Sequence, residues 1–299
     1  MRSCSSPVAL VSQQRGFTLP ELMVSVFLGL MVTGLTLSSS LVNRYTISKD
    51  VARTRLNQNI RGAVDLIGLD VRVAGENLNS SVPAIEIINA TGVTSDRLIL
   101  RRNLLEEVLP LCTSITAGSS TNRVIFARTT STAGCSYSGQ THNYTTWEAY
   151  RTARGGSVRA FLYNTVLRRG EFFTYTSAIN SGSQYELVTS AITWQNSYPA
   201  GTSAVYVLEE WEYRRESDLI RLIENRDTAS PYNVAFGATD FQVTGILNDD
   251  TSVTAFDQTR DWTTLQAIDI SITGSERFVR KNMLRTLSGR YFPRNILSN

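Results

Sequence analysis

From Leu22 to Asn43 the chain runs for 22 residues without a charged side chain. At 1.5 Å rise per residue a helix of that length spans roughly 33 Å, the thickness of a bilayer core. Residues 22–43 are therefore expected to cross a membrane. The segment ahead of them, residues 1–16, is short and polar and carries Arg2 and Arg15. Cations before the span and export after it fit the positive-inside rule. A cleavable secretory signal would show an apolar stretch of about 7–15 residues ending in an A-x-A site, and this run is longer and has no such site. A plain anchor has no use for Glu21 at its start. An ionised carboxylate costs on the order of 2–3 kcal/mol at the bilayer centre and less towards the interface, so a cationic partner is expected for it.

The stretch Gly16-Phe17-Thr18-Leu19-Pro20-Glu21-Leu22 resembles the class III signal of type IV prepilins. That pattern is a short basic leader, Gly, Phe, three residues, Glu, and then an apolar helix. The resemblance implies cleavage between Gly16 and Phe17 by a prepilin peptidase on the cytoplasmic face, and N-methylation of Phe17. It implies further that Glu21 pairs with the N-terminal amine of a neighbouring subunit during filament assembly. Electrostatics agrees: cleavage creates a cationic amine at the edge of an apolar bundle, where a carboxylate can neutralise it. Residues 1–16 are then a leader. The rest is held in the cell inner membrane by a single pass, with an exported C-terminal part, until it enters a pilus or pseudopilus.

The helix is expected to continue through an amphipathic stretch, residues 44–76. Leu56, Ile60, Ala63, Val64, Ile67, Val71 and Ala74 recur at steps of three and four, one face of a helix. Arg53, Arg55, Arg61, Asp65, Asp70 and Arg72 occupy other faces, and Gly75-Glu-Asn-Leu-Asn-Ser-Ser ends the pattern. Pro20 falls in the first turn, where its missing N–H does no harm. Gly29, Gly34, Gly62 and Gly68 are poor helix formers in water but permit close helix packing in a membrane. The apolar stripe is expected to pack against the remainder of the chain.

Residues 77–299 change character. Short runs rich in Val, Ile, Thr, Tyr and Phe alternate with Ser, Gly and Asn segments. Strands are predicted at 97–102, 123–128, 158–163, 171–176, 185–190, 204–213, 219–224, 241–247, 265–273 and 283–291. Val207–Tyr213 and Leu219–Glu224 read as a hairpin around Arg214-Arg-Glu-Ser-Asp. No later helix rivals the first. The expected fold is α+β: a long N-terminal helix, hydrophobic and then amphipathic, packed on a largely antiparallel β domain. Glu210-Trp-Glu-Tyr-Arg-Arg, Leu219-Ile-Arg and Asn233-Val-Ala-Phe-Gly-Ala-Thr-Asp-Phe-Gln-Val are similar to segments of PilW-type minor pilins and of J-type minor pseudopilins of type II secretion. Trp262–Thr273, Arg277-Phe-Val-Arg and Arg294-Asn resemble their closing strands. The likeness spans residues 205–295, whereas 78–200 resemble no named family. That longer region favours a pilus component over a secretion component.

Composition argues against much enzyme chemistry. Of 29 basic residues only Lys49 and Lys281 are lysines, and His142 is the one histidine. Neither lysine lies in a phosphate-binding loop, and one histidine cannot build a His₂ zinc site. His142, in Thr-His-Asn-Tyr-Thr, reads as a solvated loop residue. Asn248-Asp249-Asp250 with Asp257 could coordinate calcium, but EF-hand spacing is absent and a turn explains them more simply. No cofactor, metal or small-molecule substrate is expected. Cys4 lies in the leader, which leaves Cys112 and Cys135 to pair in an oxidising compartment. Such a bond stabilises its loop by roughly 3 kcal/mol on the chain-entropy model. From Arg277 to Arg294 there are six cations and no acid. Arg277, Arg280, Lys281 and Arg285 could touch DNA or another anionic surface. The alternatives are one charged face of a strand, or ion pairs to acids in Glu209–Glu216. The functional expectation is a minor pilin that meets a prepilin peptidase, a major pilin and other minor pilins. A pseudopilin is the runner-up, and a membrane-tethered adhesin or hydrolase the alternative of another class.

Overall fold

The computed structural model describes residues 16, 18–90, 95–129, 134–278 and 281–295. One helix, α1 (Leu19–Val73), accounts for 55 of them and is about 83 Å long at 1.5 Å per residue. Thr18 lies in extended conformation at its N-cap, Pro20 sits in the first turn, and the chain turns out of the helix at Ala74. Every residue from Thr18 to Val51 is exposed, and Ala52 is the first that is buried. Beyond it Leu56, Ile60, Ala63, Val64, Ile67, Val71 and Ala74 are all in the core. The face expected from the three- and four-residue steps is the face that is covered.

After α1 come β1 (Ile85–Ile88) and β2 (Arg97–Asn103). The chain then makes a long excursion. It contains β3 (Leu109–Pro110), β4 (Arg123–Arg128), α2 (Thr141–Ala153), β5 (Val158–Asn164), β6 (Arg169–Asn180), β7 (Gln184–Thr189) and β8 (Ser203–Tyr206). It returns as β9 (Leu208–Glu216), β10 (Leu219–Glu224) and β11 (Tyr232–Phe236). The last strands are β12 (Ala238–Leu247), β13 (Ser252–Val253), β14 (Leu265–Phe278) and β15 (Lys281–Tyr291). Every pairing between these strands is antiparallel, in three sheets ordered β1-β2-β9-β10-β11, β13-β12-β14-β15 and β3-β8-β5-β6-β7-β4. The fold is α+β.

The third sheet and α2 form a lobe with its own core, built around Trp147, Trp194, Tyr175, Tyr198 and Phe126. The lobe is inserted between two paired strands, since Asn103 at the end of β2 stands opposite Leu208 at the start of β9. The other two sheets share a core with α1. The strand expected over 204–213 is therefore two strands in two sheets. The break falls at Val207, whose N–H donates to the Asn103 side chain at 3.0 Å and whose carbonyl accepts from Leu104 N–H at 2.9 Å. Those bonds carry the chain from lobe to base. The hairpin turn is also tighter than expected. Glu216 pairs with Leu219, which leaves Ser217-Asp218 as the loop, with Ser217 at φ 57°.

The helix lies close on the second sheet because glycine stands at two crossings. A Cβ on Gly68 would sit 2.0 Å from the Tyr291 ring, and one on Gly274 would sit 2.6 Å from Ile60. Gly68 thus serves helix-to-sheet packing against Tyr291 rather than packing between membrane helices. Overpacking a well-filled contact typically costs 1–3 kcal/mol. Gly68→Val is expected to lower stability by about 3 kcal/mol in denaturant titrations of the full chain in detergent, with partial recovery in Gly68→Val/Tyr291→Ala. Equal stability of Gly68→Val and the parent would show that this crossing is loose.

Candidate functional site: the exposed half of the long helix

A soluble domain does not leave 33 consecutive residues of helix uncovered, as residues 19–51 are here. In α1 the exposed segment includes Leu19, Leu22, Met23, Phe27, Leu30, Met31, Leu35, Leu37 and Leu41, all large and apolar. The helix is long and apolar enough to cross a membrane by length and composition. Gly29 and Gly34 have no other atom within 4 Å of where a Cβ would stand, so both are open to a neighbouring helix. Hydroxyls in the segment are returned to the helix backbone: Ser25 donates to Leu22 O at 2.9 Å, Thr33 to Gly29 O at 2.7 Å and Thr36 to Thr33 O at 2.9 Å. Such bonds satisfy these hydroxyls without water, as a helix in an apolar medium requires. Leu66 and Leu69, on the face of α1 turned away from the domain, are exposed as well.

At the start of the helix Glu21 bends back to Thr18. Its Oε2 accepts from Thr18 N–H at 3.4 Å and from Thr18 Oγ1 at 3.3 Å. The carboxylate thus lies at the positive end of the helix dipole, among backbone N–H groups that have no partner within the helix. Gly16 is exposed, and Phe17, on which the expected cleavage and methylation fall, lies outside the described residues.

This N-terminal segment matches the family model described as the prokaryotic N-terminal methylation motif, over residues 11–37. The chain is prepilin-like. No curated protein matches it. Among solved structures, a type IV-like pilin from Thermus thermophilus is similar at 7% identity and a TM-score of 0.36, over 81% of this chain and 97% of that one. That likeness is too loose to argue from.

Elsewhere the prepilin-like chain places its other candidate residues apart from the helix start. Cys112 and Cys135 are disulfide-bonded in the lobe, with Cα atoms 5.7 Å apart. Arg277 and Lys281 are exposed at the tip of the β14–β15 hairpin, and Arg285 is half-buried further along β15. Arg280 lies outside the described residues. Among the described residues no cation of the tail forms an ion pair with the acids of Glu209–Glu216. Arg290 instead forms a bidentate pair with Asp269 across the hairpin, both contacts at 2.7 Å. The acids of β9 are taken by other arginines: Glu209 by Arg102, Glu210 by Arg101 and Arg226, Glu212 by Arg97 and Arg214, and Glu216 by Arg214 and Arg221.

Two arrangements were not visible in the sequence. Arg101 is buried with Glu210 at 2.6 Å, Glu86 at 3.1 Å and the Pro83 carbonyl at 2.9 Å. Burial works against the charge on Glu210, but Arg101 and Arg226 outweigh it and hold the carboxyl below the usual range. The other is a tilted ring contact of Tyr45 on α1 with Phe278 at the hairpin tip, with ring centroids 5.8 Å apart and planes at 57°. His142, expected in a loop, lies in the first turn of α2, with Nε2 3.0 Å from Glu107. That helix was missed because its apolar content is low; its one buried side chain is Trp147, whose Nε1 donates to Glu107 O at 2.9 Å, and beside it Tyr144 stacks on Tyr185. The carboxylates considered for calcium cap their own turns: Asp249 accepts from Thr251 N–H and Asp257 from Thr259 N–H, each at 2.9 Å. Among the described residues no cluster of three His, Cys, Asp or Glu side chains could hold a metal ion.

Proposed function

We propose that the chain is a minor pilin of a type IV pilus or pilus-like filament. The observation that carries this reading is the uncovered apolar half of α1, directly behind a methylation motif. In this reading residues 22–43 span the inner membrane, and a prepilin peptidase cuts between Gly16 and Phe17 and leaves Phe17 methylated. Glu21 neutralises the new amine of a neighbouring subunit. The helices of other pilins cover the apolar segment, with Gly29 and Gly34 allowing close approach. The bulk of the exported part supports a minor role. An inserted lobe beside a complete helix-and-sheet base is hard to repeat thousands of times along a thin shaft and suits a tip or an initiating complex.

Mass spectrometry of the processed protein tests the reading. A methylated Phe17 at the N-terminus is expected. An intact leader, or cleavage well inside the apolar run, would overturn it. Crosslinking through α1 to the major subunit then separates a pilus from a secretion pseudopilus.

A further inference from the structure

The domain begins to cover α1 at Ala52, but one part of it reaches further towards the membrane. The β14–β15 hairpin extends along the helix until Phe278, buried at its tip, meets the Tyr45 ring at a tilt of 57°. Tyr45 is three residues past Val42, the last apolar residue of the span, a rise of about 4.5 Å. The tip is therefore held at the level where the hydrocarbon ends and lipid headgroups begin. Tyrosine is itself favoured at that level, where its ring is in apolar surroundings and its hydroxyl is wet.

The charges at this level are mostly of one sign. Arg44 and Lys49 flank Tyr45 on α1, and Lys49, four residues on, shares its face of the helix. Arg277 and Lys281 bracket the tip, and all four are exposed. The acids nearby are Asp50 and Glu276. Both lysines of the chain belong to this group. A lysine ammonium is a compact point charge on a flexible stem, suited to a mobile anion rather than to a fixed carboxylate. The excess of cations also stands on the flank of the span that the proposed function exports, where the positive-inside bias would not put it. It needs a local reason.

We infer that Arg44, Lys49, Arg277 and Lys281 form a cationic collar that binds the headgroups of anionic phospholipids around the foot of the subunit while it waits in the membrane. This rests on the reading of residues 22–43 as a membrane span. Along α1, Arg44 and Lys49 stand about 3 Å and about 10.5 Å past Val42, inside and at the edge of a Debye length, about 8–10 Å, from the surface that the span defines. Clusters of Lys and Arg beside a span are attracted to anionic leaflets by about 1 kcal/mol per residue, or about fivefold each. The Tyr45–Phe278 contact makes the collar a property of the folded domain as well as of the helix. Two of its four cations arrive only when the C-terminal hairpin closes on α1, so lipid contact reports a correctly folded, upright subunit.

The test uses the full chain with Cys4→Ser and Asn282→Cys, a fluorophore on the introduced thiol, and reconstitution into vesicles. Quenching is measured with a headgroup label carried either on phosphatidylglycerol or on phosphatidylcholine at varied mole fraction. A clear preference for phosphatidylglycerol is expected. It should fall about 25-fold in Arg277→Gln/Lys281→Gln, two cations at about fivefold each, and shrink at high salt, with an unchanged circular dichroism spectrum. Equal quenching by the two lipids overturns the collar. So does displacement of phosphatidylglycerol by double-stranded DNA at low salt, which would make nucleic acid the occupant. Flotation with the vesicles after carbonate washing is scored separately. A chain that floats without lipid preference has a span but no collar, and a chain that does not float loses both.

Discussion

Arg101→Ala is expected to cost the protein about 3–5 kcal/mol, the usual result when one member of a buried ion pair is removed and the other is left without its counter-charge. Arg101 is nearly devoid of solvent contact, as is Glu210, and its guanidinium answers Glu210, Glu86 and the Pro83 carbonyl together. The pair spans β2 and β9, the two strands that carry the chain into the lobe and out of it, with Arg101 directly opposite Glu210. Loss of the guanidinium therefore strikes the joint between base and lobe. Glu210→Ala is expected to do comparable damage, because it takes the main counter-charge from buried Arg101, leaving Glu86 and the Pro83 carbonyl, and the partner from Arg226 as well. Arg101→Met/Glu210→Leu should recover much of the loss, since an apolar pair of similar volume often replaces a buried ion pair without penalty. Chemical denaturation of the full chain in detergent, run as a double-mutant cycle, measures all three. If each single substitution costs less than about 1 kcal/mol, well under the usual figure for a buried pair, the pair is not structural.

The same pair sets a pH dependence. The folded state holds Glu210 below the ordinary carboxylate range. Its contribution is fully present above the unfolded value, near about 4.3, and is lost as pH falls from there towards the folded value. Acid destabilisation beginning below about pH 4.5, and weaker in Arg101→Met/Glu210→Leu, is the expected titration.

Glu21→Ala is expected to leave processing intact and to reduce incorporation into filaments by about 30–140-fold. The figure follows from about 2–3 kcal/mol for an unneutralised charge within an apolar bundle, with each 1.4 kcal/mol a factor of about ten. Glu21→Gln keeps the size and loses the charge, so it should fail as Glu21→Ala does. In the single subunit the Glu21 carboxylate already bonds to Thr18, one residue from the amine that cleavage would create. It is thus placed near its own N-terminus as well as at the surface offered to a neighbour. The measurement is the ratio of variant to parent in the sheared filament fraction, with methylated Phe17 scored in the membrane fraction as the processing control. Normal incorporation of either variant would remove the charge-pairing argument and leave the apolar segment as the whole basis of assembly.

Much of the molecule was legible because it is written in local patterns. An uncharged run of 22 residues and a stripe at three- and four-residue steps are properties of neighbours in the chain, and a helix follows from them directly. Leu56 to Ala74 lie on the covered face for that reason. Runs rich in β-branched and aromatic residues, bounded by turn residues, likewise marked most strands, including β2, β4, β5, β10 and β14. The strands that escaped, β1, β3, β11 and β13, have two to five residues, too few to show a period. The helix α2 escaped because it buries a single residue, Trp147, and so shows no apolar stripe.

What local pattern could not convey is which strand meets which. Residues 204–213 read as one strand, yet Val207 divides them between two sheets, because Asn103, more than a hundred residues earlier, supplies the bond that turns the chain. Arg101 and Glu210 are ordinary surface charges by composition, and only the register of β2 on β9 buries them together. The cations after Arg277 read as a tail. The contact of Phe278 with Tyr45 sets Arg277 and Lys281 beside the end of the apolar run. The sequence by itself determined a long helix, its membrane-length apolar half, the motif at its head and a β-rich remainder, because each depends on residues within a few positions of one another. The tertiary structure decided the three sheets, the inserted lobe, the buried Arg101–Glu210 joint and the height of the hairpin along the helix. Those depend on pairings between distant segments, whose free energy exists only once the chain has closed upon itself.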